Sequence, residues 1–150
     1  MEETAKTPLH FWIIGIVSLL WNSFGANDYF QTQSGNLDYM ADAAAQMGIS
    51  GQEALAYFQG FPAWADVFWA FGVWGALAGS ILLLLRTRFA IWAFALSLLG
   101  LAVMTAYQTI VPQPEWTKST MMTVMNLVIW SIASFLLIYA VSMKRKGVLR

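Results

Sequence analysis

The polar residues able to do chemistry are few, and they interrupt runs that otherwise belong in lipid. Asn22 and Asp28 close the first apolar run in "LLWNSFGANDYFQTQ", Asp66 opens the second, and Asn126 lies inside the last. Tyr29, Trp69 and Tyr107 accompany them near the same end of the runs. Such a set suits binding, because aromatic rings supply apolar area while a few amides and carboxylates fix a ligand's orientation. It suits catalysis poorly. Asp28 and Asp66 form the one candidate carboxylate pair, and two acids alone do not specify a reaction. The sequence contains no Ser-His-Asp set, no HExxH helix and no phosphate loop. The absence of Cys removes thiolate nucleophiles and Cys-based metal sites, and His10 alone cannot build a His cluster. Neither an enzymatic activity nor a metal or other cofactor is expected.

Composition dictates the elements that hold these residues. Of 150 residues, 59% are hydrophobic and 11% charged, whereas soluble domains carry about 25% charged residues. The mean hydropathy is +0.59. Apolar residues gather in four runs, 9–28, 62–85, 89–108 and 121–142. Each has the roughly 20 residues needed to cross about 30 Å of hydrocarbon. Backbone groups in lipid must be satisfied within the segment, which demands helices. The expected fold is an all-α membrane protein, an antiparallel four-transmembrane-helix bundle in a single membrane domain, with a short helical outer loop over 29–61. Glu2 and Glu3 against a lone Lys6 make a poor signal-peptide leader, so the first run reads as a retained span.

Lys6, Arg86, Arg88, Lys144, Arg145, Lys146 and Arg150 fall on one side of this topology, and only Lys118 on the other. The positive-inside rule therefore predicts a multi-pass protein with both termini cytoplasmic. Asp28, Asp38, Asp42, Glu53, Asp66 and Glu115 lie toward the outer side, with Glu2 and Glu3 as exceptions. A formal net charge of zero gives no reason to expect nucleic acid as a partner. In the outer loop, "NLDYMADAAAQMG" predicts a short helix stopped by Gly48. "SGQEALAYFQG" predicts another, with Ser50 as cap, Glu53 at the third helical position and Gly60 at its end.

Lines of mostly small or polar residues at 3–4 spacing mark the faces where spans meet. They are Gly15, Ser18, Asn22, Gly25 and Tyr29 in the first span, and Ala65, Phe68, Gly72, Gly75 and Gly79 in the second. The third has Ala90, Ala93, Ser97, Gly100, Met104 and Tyr107, and the fourth Thr123, Asn126, Trp130, Ala133, Leu137 and Ala140. Small residues let backbones approach where lipid gives no hydrophobic drive for association. A rise of 1.5 Å per residue puts Asn22 about 9 Å inward of Asp28 and Asn126 roughly 8 Å inward of Met121. Both are expected in the outer half, with Asp66 and Thr105. The inner half, with "ILLLL" and "FLLIYAV", offers little polarity, and Ser97 is expected to bond the carbonyl four residues back. This asymmetry predicts a pocket on the outer side lined by Asn22, Asp28, Tyr29, Asp66, Trp69, Tyr107 and Asn126. The competing reading makes Asn22 and Asn126 hydrogen bonds between helices and Asp66 a partner of its own helix dipole.

The stretches "WNSFGANDYFQTQ" and "AYFQGFPAWADVFWAFGVWGALAGSILLLLR" resemble a family of small, uncharacterised four-span inner-membrane proteins of Gram-negative bacteria, some labelled sugar transporters. The resemblance is carried by Trp21-Asn22, Gly25, Asp28-Tyr29, Thr32-Gln33, Tyr57, Gly60, Pro62, Trp64, and Gly72 to Gly75. It departs at "ADAAAQMG", since the outer loop of that family is shorter. It implies a bacterial inner-membrane location and makes the outer side periplasmic. The expected function is binding, or helping to transport, a small amphiphilic or sugar-like molecule. The expected partners are membrane lipid and a small-molecule ligand, with a homo-oligomer, since four helices are few for alternating access. The alternative is a non-catalytic accessory subunit or assembly factor of a larger membrane complex.

Overall fold

The computed structural model describes residues 6–150. Glu2 and Glu3 lie outside the described residues. The chain is all-helical: α1 (Leu9–Gln33), α2 (Leu37–Ala45), α3 (Gly51–Gln59), α4 (Ala63–Leu84), α5 (Phe89–Ile110), a 3-10 turn (Glu115–Lys118) and α6 (Thr120–Arg145). Among the described residues α1, α4, α5 and α6 are long and apolar enough to cross a membrane. They form a four-helix membrane bundle. The end carrying the α4–α5 turn and the close of α6 is called here the terminal end, and the opposite end the loop end.

Local chemistry sets the boundaries. Pro8 and Pro62 stand immediately before α1 and α4 with extended backbone, where a missing N–H costs nothing. Asn36, Ser50 and Ser119 each accept a backbone N–H at the start of α2, α3 and α6, satisfying donors a helix start leaves free. Chain reversals after α1, α2 and α6 pass through Gly35, Gly48 and Gly147 in the left-handed region. After α4 the same position is Arg86, with φ 59°. Arg86 N–H donates to the Leu83 carbonyl and Thr87 N–H to Leu82, the pair of bonds expected of such a reversal. A side chain in this conformation costs about 1–2 kcal/mol that glycine avoids.

The first span is longer than its sequence suggests. The helix does not stop near Asp28 but continues through "YFQTQ" to Gln33. Nothing in that stretch breaks a helix, and Gly35 is the first residue in the left-handed region. The helix face also shifts. Phe11, Gly15, Ser18, Asn22 and Ala26 are buried, while Gly25 is exposed with open space beside it. Four residues beyond Asn22, not three, returns the chain to the face that meets α4.

The closest packing joins α4 and α5. A Cβ added to Gly100 would strike the Phe68 carbonyl and the Gly72 backbone, and one on Gly75 would lie 3.0 Å from the Ala93 carbonyl. Ser97 Oγ donates to the Gly72 carbonyl at 2.5 Å, so this hydroxyl bridges two helices instead of bonding within its own. The serine faces the glycine seam, where the Gly72 carbonyl of α4 comes within reach.

The bundle closes firmly only at the terminal end. There Phe11, Leu83, Phe94, Leu136 and Met143 share one core with Val148 and Leu149, which fold back after α6. His10 Nδ1 and the Tyr139 hydroxyl lie 2.6 Å apart, joining α1 to α6. The first buried residue of α6 is Leu136. Its loop-end half touches α5 through Trp130, whose Nε1 donates to Thr105 Oγ1 at 3.2 Å.

Candidate functional site

The candidate site lies at the loop end, where spacing on each helix converges on one aromatic cluster. Tyr29 follows Asn22 and Ala26 toward α4, which brings its ring edge-on to Trp69 at 4.8 Å and to Trp74 at 6.1 Å. Phe61 precedes Pro62 and turns inward, with its ring 5.9 Å from Trp69 and 5.7 Å from Tyr107. Phe58 stacks on Trp69 at 5.5 Å, Tyr57 meets Trp116 edge-on at 5.0 Å, and Trp64 meets Tyr107 at 5.3 Å. The rings join α1, α3, α4, α5 and the 3-10 turn, with Ala65 and Met104 buried among them. Offset and edge-on pairs of this kind add about 0.5–1.5 kcal/mol each beyond their buried area.

Polar groups surround this cluster. Tyr39 of α2 donates to Asp28 Oδ1 at 2.9 Å. Burial raises the Tyr39 phenol above its ordinary pKa, and Asp28 adds to this as acceptor and as charge, against a smaller lowering by the Asn27 side chain. Gln33 Nε2 donates across to Asp66 Oδ1 at 3.5 Å. Asp66 stands in the first turn of α4, where the helix dipole favours a carboxylate. Tyr57 donates to Gln113 Oε1 at 2.5 Å, and burial raises its pKa too, opposed by Gln108. Trp116 Nε1 is buried with no partner among the described residues, a state costing about 1–3 kcal/mol. Lys118, the one cation at the loop end among the described residues, pairs with Glu115 at 2.8 Å. Neither Asp28 nor Asp66 has a cationic partner among the described residues.

Of the seven residues singled out from the sequence, Tyr29, Trp69 and Tyr107 meet in the cluster, and Asp28 and Asp66 stand next in sequence to its members Tyr29 and Ala65. Asn22 does not join them. Its Nδ2 donates to the Ala76 carbonyl at 3.2 Å and to Ser80 Oγ at 2.8 Å. These partners lie about 12 and 6 Å from the terminal end of α4, in the terminal half of a helix some 33 Å long. Asn22 was expected in the other half. The continuation of α1 to Gln33 carries it deeper, and Ser80, hidden beside the glycine seam, gives it a partner. Asn126 is half-buried on α6, outside the aromatic cluster, with no side-chain hydrogen bond among the described residues.

Sequence reasoning missed Tyr39, Tyr57, Phe58, Phe61 and Trp116. The signal was present in "AYFQGF", where rings at positions 57, 58 and 61 fall on one helical side. Which helices those rings would meet was not. Two cavities open away from this cluster. One of about 440 Å³ runs along Leu137, Ile138, Val141, Ser142 and Arg145. The other, of about 270 Å³, lies between Leu85, Arg86, Thr87 and Arg150. No group of three His, Asp or Glu side chains is placed to hold a metal among the described residues. No family model, no curated protein and no solved structure matches this chain.

Proposed function

We propose that this membrane protein binds a small amphiphilic molecule at its loop end and helps to transport it. One observation carries the reading: a continuous aromatic cluster takes in Tyr29 and Ala65, and the residues next to these in sequence, Asp28 and Asp66, are carboxylates with no cationic partner among the described residues. An ammonium head would be held by a carboxylate and ring faces, the latter worth about 0.5–2 kcal/mol. A sugar-like head would stack on the same rings and donate hydroxyls to the same oxygens. The bias of Lys and Arg supports an arrangement with the loop end periplasmic and both termini cytoplasmic in a bacterial inner membrane.

Thermal shift of the detergent-purified chain tests this with an alkyl quaternary ammonium and an alkyl glycoside as probes. One probe should raise the melting temperature. Trp69→Ala and Asp66→Asn should each weaken that response by about tenfold in midpoint concentration. Asn22→Ala should leave the midpoint unchanged. Indifference of the parent to both probes, or equal midpoints in all variants, removes the reading.

A second reading, an accessory subunit of a larger membrane complex, draws on α6. No residue of α6 before Leu136 is buried, although Asn126 and Trp130 lie in that half. A partner helix retained through mild-detergent purification and crosslinking to residues 121–135 would favour it.

A further inference from the structure

We propose that the pocket between Leu85, Arg86, Thr87 and Arg150 binds a phosphoryl group at the terminal end. The pocket has a volume of about 270 Å³. Its walls come from two distant segments stitched together by backbone. Arg88 N–H donates to the Arg150 carbonyl at 2.8 Å, and Arg150 N–H donates to the Arg86 carbonyl at 2.9 Å. Arg86 Nε donates to the Val148 carbonyl at 3.3 Å, and Val148 and Leu149 anchor the segment in the core below. Arg86 and Arg150 thereby line the same pocket, with Arg88 tied to Arg150 through its backbone while its guanidinium lies over the Phe89 ring. No acidic side chain pairs with any of them among the described residues.

Two further observations single this place out. Thr87 Oγ1, in the pocket wall, is buried and has no hydrogen-bond partner among the described residues. Buried polar atoms normally have one, and a phosphoryl oxygen would accept from this hydroxyl once rotation about χ1 turns it to the pocket. Arg86 also holds the left-handed position that glycine fills at the three other such reversals. Strained backbone of this kind clusters at ligand sites. Guanidinium groups suit phosphoryl oxygens through paired, charge-assisted hydrogen bonds. At the edge of an apolar bundle the phosphoryl group could belong to an anionic phospholipid or to a soluble phosphate compound.

Full-length protein in phosphatidylcholine nanodiscs, with and without phosphatidylglycerol, provides the test, with inorganic phosphate as a second probe. Lipid retained after transfer to neutral detergent is quantified by native mass spectrometry. The parent should retain phosphatidylglycerol over phosphatidylcholine, and Arg86→Gly and Arg150→Gln should each reduce that preference about tenfold. Arg86→Gly relieves the left-handed strain and should fold, so its loss of binding reports the guanidinium. Thr87→Val should weaken retention without lowering the melting temperature, and Lys118→Gln should behave as the parent. Protection by inorganic phosphate, lost in the same variants and without lipid preference, also supports the site and assigns it to a soluble phosphate. The proposal is overturned if neither probe is preferred, or if preference survives both arginine variants.

Discussion

The seam between α4 and α5 and the loop-end half of α6 are both apolar helix in the same bundle, yet they are built for opposite ends. At the seam, Gly72 and Gly100 bring backbones together, and Ser97 donates to a carbonyl of the other helix. Side-chain changes there act on backbone. In α6, Met121, Val124, Met125 and Leu127 are exposed, and no residue is buried before Leu136. Lipid is as apolar as these side chains, so their exposure costs nothing within a bilayer. The chain's own packing thus fixes one region and leaves the other uncommitted. Helices joined by the short "RTR" turn need little loop entropy to associate, whereas α6 reaches its neighbours from across the longer connection after Ile110.

Breaking the seam should have the largest effect. Gly100→Leu drives a side chain into the Phe68 carbonyl and the Gly72 backbone. Unfolding titration in mixed micelles should record a loss of at least about 3 kcal/mol, the upper range of overpacking where backbone must move. A loss below about 1 kcal/mol would mean the two helices separate freely and the seam is not the rigid part.

An intermediate effect is expected one helix away. Asn22→Ala removes two bonds between α1 and α4, while Ser80 Oγ keeps its own donation to the Ala76 carbonyl. The same titration should give a loss of about 0.6–2 kcal/mol, the range for polar contacts between membrane helices. A zero cost would make Asn22 available for another role.

The smallest effect belongs to α6. Leu127, exposed by 62%, should tolerate Leu127→Ala within about 0.5 kcal/mol in the isolated chain. A larger loss in a purified oligomer, but not in its dissociated form, would locate the missing neighbour of α6 and sharpen the contrast.

The seams of the second and third spans were legible because burial in a hairpin of small residues leaves a periodic trace. Ala65, Gly75 and Gly79, and Ala90, Ser97, Gly100 and Met104, are buried at the spacing expected. The outer loop was equally legible, with Ser50 accepting from Glu53 N–H at 3.1 Å and starting α3 as its cap chemistry predicts. The candidate site was half legible. Tyr29, Trp69 and Tyr107 carry helical spacing that points inward, whereas Tyr39, Tyr57 and Trp116 reach it from segments whose direction no local rule specifies.

The sequence by itself determined the elements: four helices long enough for a bilayer, the Ser50 cap of the loop helix α3, small residues on the facing sides of α4 and α5, and the segregation of charge between two ends. These follow from hydropathy, helical period and hydrogen-bond satisfaction, all properties of neighbours along the chain. Tertiary structure alone decided the partners. It gave Asn22 to Ser80, Ser97 to Gly72, and Arg86 to the backbone of Arg150. Each pairing depends on which turn of one helix lies level with which turn of another. That register is set by where α1 ends and how closely glycines let α4 and α5 approach.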